Sequence, residues 1–247
     1  MASEAPEKLL DRVRKLLAKA EDESCTPPEA EALTAKAAEL MAKYGIDRAL
    51  LAAARPETDA PGSRLVDIYN PWGKVRAHLL CGLGAAMRCQ CIMLTTTDGM
   101  RIHVFGYASD IERTDLLYTS VLIQMWHGLV AARLPDRCAS PRAWRRSWLL
   151  GFATAVIGRV KAAEEAAADR ADEPGTAGSP SRTALVLADR ELVIRSAVQR
   201  EYPVTRTARM TYSGTGYGAG YEKGQRADLG TPRVTRPASP SLTRSGG

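Results

Sequence analysis

The chain has 247 residues, of which 45% are hydrophobic and 25% charged, the balance of a soluble globular protein long enough to bury a core. No apolar run approaches the roughly 20 residues of a bilayer span. The charged start "MASEAPEKLLDRVRK" lacks the apolar centre of a signal peptide, so a cytoplasmic location without a membrane partner is the expectation.

The net charge of +6 is concentrated late, since residues 140–247 hold 17 basic and 10 acidic side chains. Such an excess suits an anionic partner such as nucleic acid, and it also suits a plain solvated surface. The five cysteines at 25, 81, 89, 91 and 138 are odd in number and irregularly spaced, which reads as reduced thiols and not a disulfide framework.

In chain order, Leu9, Leu10, Val13, Leu16 and Leu17 repeat at helical spacing. In "TPPE", Thr26 and Glu29 form a capping box that opens a second helix. That helix carries Ala30, Leu33, Ala37, Leu40 and Met41 on one face, and Gly45 is placed to end it. Residues 6–47 therefore predict a helical hairpin, followed by a flexible linker over 48–70.

A helix over 72–87 comes next. "RCQCIMLTTTDGMRIHVFGY" then gives two short strands around a turn. Ser109 and Glu112 make a further capping box, opening a helix from 110 to about 133. Another helix is predicted over 141–169, a break at "ADEPGTAGSPS", a strand or helix lead-in at "TALVLA", and a helix over 188–201. Residues 231–247 have almost no large apolar side chains and predict disorder. The expected fold class is α+β, predominantly helical: an N-terminal helical hairpin plus a helix–β-hairpin–helices domain.

The "KLLAKAE" helix, the "EAEALTAKAAELMAKYGI" helix and its tyrosine-glycine end resemble the bacterial and phage domain DUF2786 over about residues 6–47. The stretches "GYASDIERTDLLYTSVL" and "RRSWLLGFATAVIGRV" with the glycine-rich close resemble the module that commonly follows it, DUF7168, over about 71–230. The resemblance implies a phage or plasmid association and a fold, but no chemistry and no cofactor.

Four sets of residues carry the candidate chemistry. His78 and Cys81 share a helix face, while Cys89 and Cys91 share a strand face, so the four form a weak zinc set without CxxC spacing. Buried reduced cysteine explains them as well. A Cys/His nucleophilic pair with His103 has nothing in sequence to activate it. Asp98, Asp110, Glu112 and Asp115 are the acids a Mg²⁺-dependent nuclease would use, and turn and capping roles account for them too.

In "PRAWRRSW", Arg142, Arg145 and Arg146 alternate with Trp144 and Trp148. With Arg159 and Lys161 they compose a candidate nucleic-acid surface. Last, "TYSGTGYGAGYEKGQRADLG" meets G-x-G-x-x-G/A at Gly214, Gly216 and Ala219 but lacks the strand–helix–strand context of a nucleotide loop, and Gly224 is followed by Gln225 and not by the Walker lysine, which leaves Gly216, Gly220 and Gly224 four apart. As a helix they form a bare stripe for close packing. The expected role is a non-catalytic nucleic-acid- or protein-binding module. The alternatives are a metal-dependent hydrolase acting on nucleic acid, and an assembly module docking through the alanine-rich hairpin.

Overall fold

Helical apolar spacing at both ends of the hairpin produces α1 (Pro6–Ala20) and α2 (Pro27–Ala54). Val13 of α1 is buried with Ala37, Leu40, Met41 and Tyr44 of α2. The computed structural model describes residues 6–20, 27–97, 99–171, 181–206 and 214–227; Thr26, Asp98, the Glu29 side chain and the 231–247 segment lie outside these.

Gly45 does not end α2, which runs on to Ala54. A Cβ at Gly45 would overlap the Arg113 guanidinium, so the glycine serves a close approach within the helix and not a C-cap.

The expected linker over 48–70 is likewise structured. Its first part completes α2, a 3-10 turn follows at Pro56–Thr58, and β1 (Pro61–Tyr69) occupies the rest. β1 pairs antiparallel with β3 (Gly99–Tyr107) from Pro61↔Tyr107 to Tyr69↔Gly99. It is an edge strand whose residues are mostly exposed, so it lacks the alternating apolar pattern that announces a strand. The β2 strand (Gln90–Thr95) flanks β3 on the other side, giving the order β1-β3-β2.

One face of this sheet carries Ile68, Ile102 and Val104 into the main core, with Val75, Leu79, Leu80 and Leu83 of α3 (Gly73–Ala86). Leu117, Val121 and Met125 of α4 (Ala108–Ala131) join them. The other face meets α6 (Arg182–Glu201), where Phe105 packs on Ile194 and Val198. "TALVLA" is thus the first turns of α6 and not a strand.

The long α5 (Pro141–Ala171) crosses the core with Trp148 and Phe152 stacked at 5.7 Å. Full burial of each such ring contributes roughly 1.5–3 kcal/mol. Along α5 lies the short α7 (Tyr217–Arg226). Cβ atoms at Gly216, Gly220 and Gly224 would strike the backbone carbonyls of Trp144, Trp148 and Phe152, each four residues on. The glycine stripe is the surface through which α7 meets α5. Among the described residues, seven helices and one three-stranded antiparallel sheet make a predominantly helical α+β protein.

Candidate functional site

The buried carboxylates and guanidiniums are tied into one network. Arg113, with 0% exposure, donates from Nη2 to Asp110 (2.7 Å) and from Nη1 to Glu164 (2.6 Å) and the Met41 carbonyl (2.9 Å). Glu164 also accepts from Arg88 at 2.7 Å. Arg190 donates from Nη2 to Asp59 at 2.8 Å and to Asp110 at 2.9 Å, with its guanidinium over the Tyr107 ring. Burial opposes the charge on Arg113, but Glu164 and Asp110 outweigh it and hold its pKa above the usual guanidinium range. Three guanidiniums balance three carboxylates, as a desolvated cluster requires.

The three described acids of the candidate set have separate partners. Asp110 is committed to two arginines, Glu112 is paired with Arg14 at the surface, and Asp115 is paired with Arg64. No group of three or more His, Cys, Asp or Glu side chains able to hold a metal ion occurs among the described residues. Nor do Ser109 and Glu112 make a capping box. The helix starts at Ala108, two residues earlier than expected, and the Asp59 carboxylate accepts from the Ser109 amide at 3.1 Å and from its hydroxyl at 2.7 Å. An acid fifty residues away caps α4, which local spacing cannot reveal.

The zinc set divides in the same way. Cys81 and Cys91 hydrogen-bond to each other, and this contact lowers the Cys81 thiol pKa and raises that of Cys91, with burial adding to the rise. Cys89 instead lies 3.7 Å from the Thr114 hydroxyl, where burial pushes its thiol up to about 12. Burial lowers the His78 pKa. Cys89 is a buried thiol, while Cys81 and Cys91 are half-buried.

The arginine set splits into core and surface. Trp144 is only 5% exposed, so it packs and offers no face for a base. Arg159 donates to the Gly224 carbonyl at 3.2 Å, at the C-terminal end of α7. Lys161 is paired with Glu165 farther along α5.

Arg142 and Arg146, by contrast, line a cavity of about 500 Å³ together with Lys74, Asn70 and Trp72. Its walls are the first turns of α3 and α5, neither of which contains an acidic residue. The Val75 and Arg76 amides bond to the Trp72 carbonyl, which leaves the Gly73 and Lys74 amides at the open end of the ladder. Trp72 holds the corner in the left-handed region at φ 65°, a conformation that costs a non-glycine residue about 1 kcal/mol. Arg145 is exposed beside the cavity.

Lys74 is the residue sequence reasoning missed. The available signal was its charge, because a lysine in the first turn of a helix opposes the helix dipole.

Residues 8–48 match the family model described as "Protein of unknown function (DUF2786)". No curated protein and no solved structure matches the chain. No helix among the described residues is long and apolar enough to cross a membrane.

Proposed function

We propose that the protein binds nucleic acid without catalysis, holding the phosphate backbone at the cavity between α3 and α5. The observation that carries this reading is the wall of that cavity: Lys74, Arg142 and Arg146 converge there with no carboxylate among the lining residues. Lys74 and Arg142 belong to no ion pair among the described residues, whereas Arg64, Arg101 and Arg195 face Asp115, Asp67 and Glu191. Two helix N-termini add positive potential at the same place. Cations set against two helix dipoles repel one another and are relieved by a bound anion.

The alternatives find less support. The described acids of a hydrolase, Asp110, Glu112 and Asp115, are divided among four arginine contacts, and Ala37, Leu40 and Met41 of the alanine face offered for assembly are buried inside the molecule with Val13. On the motifs quoted above we also assign residues 71–230 to the DUF7168-like module, with the phage or plasmid association and cytoplasmic setting this kinship suggests.

The test is binding of a fluorescein-labelled oligothymidylate of about 20 nucleotides, longer than the site of a single binding fold. Tight binding at low salt that weakens steeply as salt rises is expected, with Lys74→Ala/Arg142→Ala binding at least tenfold more weakly. Absence of binding at low salt, or equal retention of polyglutamate of matching charge, overturns the reading.

A further inference from the structure

Resting on that reading, we infer a second phosphate subsite on the opposite flank of α5, so that a bound strand crosses the helix from one cavity to the other. A cavity of about 270 Å³ lies where the end of α4 meets α5 and α7, and Arg133, Lys223 and Arg226 line it. All three are exposed. One acid, Glu222, shares the wall and reaches Arg226 at 4.0 Å. Such a solvated pair is weak enough for a phosphate to displace.

The two cavities are registered on a single helix. At 3.6 residues per turn, Arg142 and Arg146 point to one side of α5 and Trp144 and Trp148 to the other. These are the α5 side chains that line the first and second cavities respectively. Arg145 falls midway between the two sets on the solvent side and is exposed, whereas Ser147, on the reverse, is buried. A track of cations therefore runs over the exposed face of α5, from Lys74 through Arg145 to Lys223. Its length is about one helix diameter, 10–12 Å with side chains, so the ligand is a chain of several nucleotides and not a lone phosphate.

The inference also gives the glycine stripe a functional consequence. Lys223 packs against Gly128 of α4, its Cε lying 3.5 Å from where a Cβ there would stand. It reaches that position because Gly220 and Gly224 let α7 lie directly on α5.

The experiment measures oligothymidylate affinity against salt for the wild type, Lys74→Ala/Arg142→Ala and Arg133→Ala/Lys223→Ala. Arg195→Ala, on α6 and lining neither cavity, serves as control, and circular dichroism verifies folding of each. Each phosphate contact contributes about −0.7 to the logarithmic salt slope for single strands. Removing either cation pair, two contacts, should therefore flatten the slope by about 1.4 and weaken binding at least tenfold, with no change for Arg195→Ala. If Arg133→Ala/Lys223→Ala binds as the wild type does while Lys74→Ala/Arg142→Ala does not, the second subsite is wrong and the first cavity stands. If the wild type does not bind, both fall. A folded Arg145→Ala variant with unchanged affinity and slope would likewise overturn the crossing path.

Discussion

At the scale of single residues, charge and burial sort side chains that look alike in sequence. Asp110, Glu112 and Asp115 stand within one and a half helical turns, yet Asp110 alone is withdrawn from water. Its carboxylate holds Arg113 and Arg190 together, and removing it leaves three buried or half-buried guanidiniums facing only Glu164 and Asp59. Asp110→Ala should cost about 3–5 kcal/mol of stability. Glu112→Ala and Asp115→Ala, which break exposed pairs, should each cost under about 1 kcal/mol. Urea denaturation of the three variants checks this, and near-equal losses would refute the network as described. The same sorting separates the tryptophans. Trp144 was readable as a stacking platform from its arginine neighbours, but four-residue spacing to Trp148 put it in the core, and the structure buries both.

At the scale of elements, the most instructive is α7. Four-residue spacing of Gly216, Gly220 and Gly224 was legible as a bare stripe, but which helix it would face was not. Contact with α5 is backbone to backbone, so the glycines differ sharply in tolerance. A Cβ at Gly220 would overlap the Trp148 carbonyl, while one at Gly218 meets nothing within 4 Å. Gly220→Ala should therefore destabilise by about 1–3 kcal/mol through overpacking. Gly218→Ala should stabilise by about 0.5–1 kcal/mol through helix propensity. Chemical denaturation of both variants decides the matter, since the account requires opposite signs. β1 teaches the converse lesson. "PGSRLVDIY" has the punctuation of a linker, and its strand conformation comes from pairing with β3 and not from its own pattern.

At the scale of the whole molecule, the N-terminal hairpin is not an appendage. Ala42 and Ile46 of α2 pack against Ala167 of α5, and the Met41 carbonyl accepts from Arg113 at the centre of the network. Unfolding should therefore be one transition, coincident by tryptophan fluorescence and far-ultraviolet circular dichroism. An earlier, separate transition for the hairpin would contradict this.

The sequence by itself determined what repeats locally. Helical periodicity placed α1, α3, α4 and α5 within about two residues but ended α2 nine residues early and began α6 six residues late, turn chemistry placed the β2–β3 hairpin, and the composition of "PRAWRRSW" pointed to α5 as the basic element. Only the tertiary structure decided which charges meet acids in the core and which line a cavity. Asp59 reaches Ser109 and Arg190 across 50 and 131 residues, and Lys74 meets Arg142 and Arg146 from a different helix. Local pattern reports the energy of a residue with its near neighbours in the chain. Ion pairing, desolvation and the shape of a cavity depend on neighbours that folding alone supplies.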